Sequence, residues 1–184
     1  CIIDSGADHA DLTDEYAAIP TEMRKAAEAV GKTYLRETNT DEIIENIISV
    51  RKNAGDRGVL RTLHFMKDNE RAVQEAELLE KGDFNGFLRV IKESGNSSWM
   101  YLQNVTVLGS CRNQEVAYAL AMCDIALNGR GAYRVHGGGF AGTVQAFVPN
   151  DMLAEFKEFI EKTVGNESCH VLSIRNVGGA ELTE

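Results

Sequence analysis

The chain has 184 residues, of which 43% are hydrophobic and 26% are charged, a composition typical of a globular protein with one domain or two lobes. Its formal net charge of −9 excludes nucleic acid and anionic membrane surfaces as main partners. No apolar run approaches the ~18–20 residues of a membrane span, and no signal-peptide pattern opens the chain.

The cysteine pattern excludes two kinds of site. Cys1, Cys111, Cys123 and Cys169 form no C-x-x-C pair, so neither a zinc site nor thioredoxin-type chemistry is expected. Free thiols are the rule in a reducing cytoplasm, where we expect the protein to reside. The chain begins with Cys1, inside a segment (residues 1–4) that already has the pattern of a strand. We therefore expect it to be a piece of a longer protein.

The first half of the chain predicts one strand followed by several helices. An acidic link with Asp8, His9, Asp11, Asp14 and Glu15 lacks the ligand order of a calcium-binding loop, and we interpret it as a solvated turn that caps a helix. Asn39, followed by Glu42, predicts a capped helix start, and Asp83 predicts another. The predicted helices cover residues 21–30, 39–52 and 58–81, and a further helix follows residue 83.

The middle of the chain is less regular. In residues 94–109 we expect Trp99 and Tyr101 to anchor the segment to the core, with the lining of a pocket as the alternative. Residues 112–128 form a predicted helix whose apolar stripe includes Cys123. This thiol is expected to be buried and unreactive.

The last third of the chain has the pattern of strand, loop, strand, helix and strand. Residues 132–136 and 143–148 are predicted strands, Asn150 or Asp151 caps a helix that ends near Gly165, residues 169–174 form a closing strand, and residues 175–184 form a polar tail. With the earlier helices as one enlarged crossover, the order is β-α-β-β-α-β. This order predicts an α+β fold: a ferredoxin-like split β-α-β antiparallel sheet with an enlarged helical insertion.

The most informative stretch is the glycine-rich run between the two predicted strands, since four of the six residues 137–142 are glycine. Glycine reaches positive φ and leaves main-chain N–H groups open to an anion. A plain hairpin turn needs only two residues, so we interpret the run as a working loop. Gly137, Gly139 and Gly142 also satisfy G-x-G-x-x-G, but a strand follows instead of the helix of a dinucleotide site. The H-R-D and D-F-G motifs of a protein kinase are missing as well.

Several segments together resemble one family. Residues 131–142, GAYRVHGGGFAG, resemble the third signature motif of the GHMP small-molecule kinases. Within that superfamily, residues 9–16 (HADLTDEY), 69–71 (NER), 82–84 (GDF) and 93–94 (ES) resemble galactokinase segments in matching order. The resemblance spans nearly the whole chain.

The resemblance implies that residues 1–184 are the C-terminal domain of a galactokinase whose N-terminal lobe is absent from the chain. Galactokinases transfer the γ-phosphate of ATP to the anomeric hydroxyl of galactose, and the family holds ATP, Mg²⁺ and the catalytic residues mainly in the N-terminal lobe. We therefore expect no catalytic residue and no metal ligand in this chain, and no activity from it alone. Its expected partners are galactose, ATP and the N-terminal lobe, without which the exposed interface promotes self-association.

The resemblance also implies site residues. Tyr16 matches a tyrosine whose hydroxyl contacts the sugar, with a tyrosine at the edge of the core as the alternative. The motif at the cleft corresponds to Gly137, Gly138, Gly139, Phe140, Ala141 and Gly142. We expect a Gly139→Val variant of the intact enzyme to fold but to lose turnover.

The chain departs from the galactokinase pattern at three places. His136 stands where Thr is more usual and Ala141 where Gly is more usual, and His136 either adds a titrating donor beside the phosphates or packs against the hairpin. Residues 110–114, SCRNQ, replace a Cys-Pro-Glu-Leu-Asp run. These departures leave two alternatives open: a GHMP kinase that acts on another small molecule, or a non-catalytic galactose-sensing or ligand-binding module.

Overall fold

The computed structural model describes residues 1–7, 12–174 and 178. In the predicted acidic link, Asp8, His9 and Asp11 lie outside the described residues, whereas Asp14 and Glu15 lie in the first turn of the helix Thr13–Glu28. Nearly all of the predicted tail (residues 175–177 and 179–184) also lies outside the described residues. The elements in chain order are β1 (Ile2–Asp4), α1 (Thr13–Glu28), α2 (Thr40–Glu45), α3 (Ile47–Glu80), α4 (Phe84–Ser97), a π-helical turn (Ser98–Leu102), α5 (Glu115–Leu127), β2 (Ala132–Val135), β3 (Thr143–Phe147), α6 (Leu153–Thr163) and β4 (Cys169–His170). Short 3-10 turns lie at Leu35–Glu37 and Asn150–Met152.

The strands form an antiparallel sheet in the order β2-β3-β1-β4. In the register, Val144 of β3 lies opposite both Ile3 and Val135, and Ile3 also pairs with Cys169. This is the strand order of the ferredoxin-like split β-α-β arrangement. The α+β fold class predicted from the sequence is therefore confirmed.

One face of the sheet carries the main core. Strand alternation directs Val135, Val144 and Ile3 to this face, where α5 and α6 cover them with Leu120 and Phe156 among others. Cys123 of α5 is fully buried in this core. Burial raises the pKa of its thiol to about 12, so the thiol stays protonated at neutral pH.

The opposite face of β2 is covered by α4. Phe87 and Ile91 of this helix pack on Ala132, and the Phe87 ring meets that of Phe147 edge-on with centroids 5.2 Å apart. A Cβ on Gly95 would lie 2.9 Å from the Arg134 Cβ, so glycine lets the helix approach the strand this closely. The helical insertion is thereby joined to the strand that leads into the glycine-rich run.

The insertion has a core of its own. Helices α1 and α3 pack together around buried apolar residues, which are Ala26, Ala27, Leu35, Ile43, Val50 and Met66. Beside them the buried Arg61 donates to Glu22 (3.0 Å) and to the carbonyl of Leu102 (3.1 Å). This pairing explains how a guanidinium that is 1% exposed is accommodated.

The structure corrects several predicted helix boundaries. Helix α1 begins at Thr13, eight residues before the predicted start, and continues through Pro20, whose ring is exposed to solvent. The side-chain caps at Asn39 and Asp83 are confirmed by their bonds to the amides of Glu42 and Gly86 (both 2.9 Å). The two predicted helices at 39–52 and 58–81 instead become α2 and the longer α3, which is interrupted at Gly55 (φ 75°).

Two predictions near the end of the chain were wrong in detail. Neither Asn150 nor Asp151 caps α6 by its side chain; a 3-10 turn precedes the helix, and Asp151 binds Arg130 instead (2.8 Å). The closing strand covers only Cys169–His170, because β1 offers no partner beyond Ile2. No helix in the described part of the chain has both the length and the apolar character needed to cross a membrane.

Candidate functional site: the glycine loop

The glycine-rich run, residues 137–142, joins β2 to β3 and is called the glycine loop below. Gly137, Gly139 and Gly142 have φ values of 66°, 79° and 140°, and Phe140 also has a positive φ of 59°. Side chains with a Cβ rarely adopt this conformation. The prediction that the run uses the conformational freedom of glycine agrees with this geometry.

Asn104 supports the glycine loop from the protein interior. Its main-chain carbonyl accepts from the amide of Phe140 (2.5 Å), and its side-chain Nδ2 donates to the carbonyl of Gly138 (3.1 Å). A Cβ on Gly139 would lie 2.0 Å from the Asn104 carbonyl oxygen. Gly139 is therefore required by close packing as well as by its φ angle.

Tyr16 holds the glycine loop from the side of α1. Its hydroxyl donates to the carbonyl of Gly139 (2.8 Å), and its ring meets the Phe140 ring edge-on with centroids 5.4 Å apart. A Cβ on Gly138 would lie 2.7 Å from Cε1 of the same ring. The structure thus brings the two predicted site elements into direct contact, and the Tyr16 hydroxyl proton points to the loop.

Ser5, directly after β1, secures the end of the loop. Both its hydroxyl (2.5 Å) and its amide (3.1 Å) donate to the carbonyl of Gly142. Neither Ser5 nor Asn104 was recognised in the sequence. Their partners lie 137 and 34 residues away along the chain, so no local pattern marks either residue.

The loop offers main-chain donors on its outer side. The amides of Phe140 and Ala141 are used within the protein, by Asn104 and Gly139 respectively. Gly137 and Gly138 are exposed, and their amides make no hydrogen bond with any described residue. These two N–H groups are the part of the loop that is available to an anionic or hydroxylated ligand.

A hollow of about 230 Å³ opens at this point, lined by the glycine loop together with Tyr16, His136 and Thr143. His136 is exposed, so its side chain is not packed into the hairpin; its amide donates to the carbonyl of Thr143 (2.9 Å). Among the described residues, no group of three or more His, Cys, Asp or Glu side chains forms a metal-binding cluster. The hollow thus presents main-chain groups of the glycine loop beside the side chains of Tyr16, His136 and Thr143.

A partly buried polar network connects α3 and α4 to β2. Asp68 accepts from Arg71 (3.1 Å) and from Ser94 (2.6 Å), whose hydroxyl in turn accepts from Arg134 (2.5 Å). His64 Nδ1 lies 2.9 Å from the Ser97 hydroxyl, and burial lowers the pKa of this histidine. The family-like segments at 69–71 and 93–94 therefore meet in space at Asp68.

Comparison with known proteins adds a family context to this geometry. No family model matches the chain. Curated relatives include galactokinases of Glaesserella parasuis serovar 5 (25% identical over 159 residues, 86% of the chain and 39% of the relative), Actinobacillus pleuropneumoniae (25% over 175 residues, 92% and 44%) and Homo sapiens (26% over 174 residues, 94% and 41%). The chain is similar to galactokinases. The resemblance predicted from the glycine loop and its companion segments is thereby confirmed.

The structure is also similar to a galactokinase. The crystal structure of Lactococcus lactis galactokinase complexed with galactose matches with a TM-score of 0.71 at 20% identity, over 89% of this chain and 40% of that one. This likeness supports the fold described above. The chain spans about two fifths of the length of the galactokinases it matches, so it corresponds to a part of such a protein.

Proposed function

We propose that residues 1–184 form the C-terminal lobe of an ATP-dependent sugar kinase that converts galactose to galactose 1-phosphate. The observation that carries this proposal is the similarity to galactokinases over 86–94% of the chain. In the reaction, the bond from the γ-phosphorus to the β,γ-bridging oxygen of ATP breaks. A bond to the anomeric oxygen of galactose forms, and the hydroxyl proton leaves to a base.

The glycine loop has a defined part in this proposal. Phosphoryl transfer depends chiefly on positioning and on stabilisation of charge, and main-chain N–H groups provide both without a side chain. The amides of Gly137 and Gly138 face the substrates, and the Tyr16 side chain lies beside them. His136, on the rim of the same hollow, is an additional donor to the phosphate region.

The remaining machinery is assigned to the rest of the intact protein. Among the described residues no three or more His, Cys, Asp or Glu side chains come together, and no step of the reaction is assigned to a metal bound here. ATP, its Mg²⁺ and the catalytic base belong to the N-terminal lobe in this proposal. We also propose that the intact enzyme resides in the cytoplasm. The chain alone is expected to be inactive.

The decisive experiment measures ATP-dependent phosphorylation of galactose by the full-length protein that contains this chain, and by the chain alone. Activity of the full-length protein only is the expected result. Activity of the chain alone contradicts the assignment of the catalytic residues to another lobe. A panel of other sugars and small alcohols tests the acceptor, and better use of another acceptor replaces galactose in the proposal.

Binding of galactose by the full-length protein without turnover favours the alternative of a galactose-sensing module.

A second measurement tests the loop within the active enzyme. A Gly138→Ala variant places a methyl group against the Tyr16 ring, so the ring or the loop must move. We expect this displacement to lower kcat/KM for galactose by about tenfold or more. Gly165→Ala is the matched control, since a Cβ there meets nothing within 4 Å.

A further inference from the structure

A second hollow, of about 390 Å³, is lined by Trp99, Gln103, Glu15, Arg57, Phe140 and the 105–110 segment, and is called the Trp99 hollow. It shares Phe140 with the glycine loop, and Glu15 is the neighbour of Tyr16 in α1. Its volume falls within the range of small-molecule sites in proteins. The function proposed above leaves this hollow unused.

Trp99 gives the hollow an exposed aromatic surface. The side chain is 49% exposed, so it does not anchor the 94–109 segment to the core as the sequence suggested. Trp99 instead lines a pocket, which was the alternative prediction for this residue. A half-exposed tryptophan in a concavity offers both a flat apolar face and an indole N–H donor to a ligand.

The backbone that presents Trp99 is unusual. Residues Ser98–Leu102 form a π-helical turn, closed by a bond from the Gln103 amide to the carbonyl of Ser98 (2.8 Å). Gln103 then adopts the left-handed conformation with φ 57°. Single π-helical turns and non-glycine residues at positive φ both cost stability and concentrate at functional sites.

The charged groups around the hollow balance one another. Arg57 donates to Glu22 at 2.6 and 3.0 Å, and Glu22 also accepts from Arg61. Glu15 lies close enough to act electrostatically on both arginines, and the hydrogen bond to Glu22 raises the pKa of Arg57. Two cations and two anions leave no net charge for an ionic ligand to neutralise.

We propose that the Trp99 hollow binds a neutral saccharide of one or two rings. The C–H groups of a sugar ring carry slight positive charge and pack on the negative face of an indole. Neighbouring sugar hydroxyls both donate and accept, which suits the Glu15 carboxylate, the Arg57 guanidinium and the Gln103 amide together. A charged ligand would bring a charge that this balanced set has no free counter-charge to compensate.

Fluorescence of Trp99 tests this directly, because the 184-residue chain contains a single tryptophan. The chain is titrated with galactose, glucose, lactose and maltose in the absence of ATP. A saturable change in emission with millimolar affinity is expected for at least one of them. Because this titration measures binding and not turnover, a negative kinase assay does not contradict saccharide binding. The absence of saccharide binding in turn does not contradict a positive kinase assay.

Two variants locate the binding. Glu15→Gln removes a charged acceptor, and Gln103→Gly removes the amide while relieving the positive φ; each is expected to weaken binding by about fivefold. Glu28→Gln, an exposed position on the same helix α1, is the matched control and is expected to bind like the parent chain. Circular dichroism and a thermal melt establish that each variant is folded.

Three results overturn the inference. The first is a folded chain whose Trp99 emission shows no saturable response to any of these saccharides up to about 50 mM, beyond the useful range of specific binding. The second is an unchanged affinity in both Glu15→Gln and Gln103→Gly. The third is a response to ATP or inorganic phosphate but to no neutral saccharide.

Discussion

At the scale of single residues, the glycine loop takes its shape from a residue outside it. Asn104 is 2% exposed and contacts Gly138, Gly139 and Phe140 at once. Its Oδ1 is buried without a hydrogen-bond partner among the described residues, so the side chain already carries an unpaired acceptor. Such a group persists in a protein when the surrounding contacts require it.

An Asn104→Asp substitution tests this support. A carboxylate cannot donate to the Gly138 carbonyl, and a charge buried beside that oxygen has no cation to pair with among its described contacts. We expect the unfolding free energy of the chain to fall by about 2–3 kcal/mol, measured by urea denaturation. Asn96→Asp, exposed on α4, should change it by less than about 0.5 kcal/mol. Similar losses in the two variants would contradict the role of Asn104.

Gly139 has no room for a side chain. A Gly139→Val variant was expected to fold, but any Cβ there meets the Asn104 carbonyl at 2.0 Å, and φ is 79°. We therefore expect even Gly139→Ala to destabilise the chain by about 2 kcal/mol or more in a thermal or urea melt. Gly165→Ala, with open space at its Cβ, should have a small effect. An unperturbed Gly139→Ala chain would mean that the loop can move away from Asn104.

At the scale of elements, the junction of α3, α4 and β2 combines apolar and polar contacts. Phe87 and Ile91 bury Ala132, while Asp68 gathers Arg71, Ser94 and, through Ser94, Arg134. Arg134 lies three residues before Gly137, the first residue of the glycine loop. The helical insertion is therefore connected by hydrogen bonds to the strand that positions the loop.

His64 makes this junction sensitive to pH. Burial lowers its pKa below the ordinary value of 6.5, with Asp68 opposing this effect and Arg134 and Arg71 adding to it. Below pH 6.5 the unfolded chain binds the imidazole proton more readily than the folded chain, so stability falls until the folded-state pKa is reached. The unfolding free energy of a His64→Gln variant should therefore fall less than that of the parent chain between pH ~7 and 5, as measured by urea denaturation.

The exposed His170 of β4 provides the control for this measurement. A His170→Gln variant should keep the pH dependence of the parent chain. If His64→Gln and the parent chain lose stability with the same slope, another group controls the acid sensitivity.

At the scale of the whole molecule, the chain joins a ferredoxin-like half to a helical half. The core beneath α5 and α6 and the core between α1 and α3 are separate clusters, bridged by α4 and the segment that follows it. The glycine loop, Tyr16 and Asn104 meet at this junction, where each half contributes to the candidate site. Single substitutions in either half can therefore alter the loop.

The chain spans about two fifths of its relatives, so we expect some of its apolar surface to be covered in the full-length protein. Large apolar side chains such as Ile48 (78%) and Leu108 (74%) are exposed, and exposed apolar surface favours association. In sedimentation experiments, the 184-residue chain should form dimers or larger species as its concentration rises, whereas the full-length protein should not do so through the same surface. A chain that stays monomeric at high concentration would show that no large interface was left uncovered.

Much of the local structure could be predicted because its causes lie within a few residues. The caps at Asn39 and Asp83, the alternation in β3, and the burial of Cys123 follow from short-range patterns, and all agree with the structure. Boundaries were less accurate: α1 continues through Pro20, and β4 ends where its partner strand ends. Strand pairing decided the end of β4.

The sequence by itself determined the element order, the glycine loop, and the resemblance to galactokinases, because glycine spacing and apolar periodicity are properties of neighbouring residues. Tertiary structure alone decided which groups hold the loop. Asn104, Ser5 and Tyr16 reach it across 34 to 137 residues of chain. Such contacts form only in the folded chain, so no local pattern marked Asn104 or Ser5. The resemblance that pointed to Tyr16 implied a contact with the sugar, whereas the structure shows its contact with the loop.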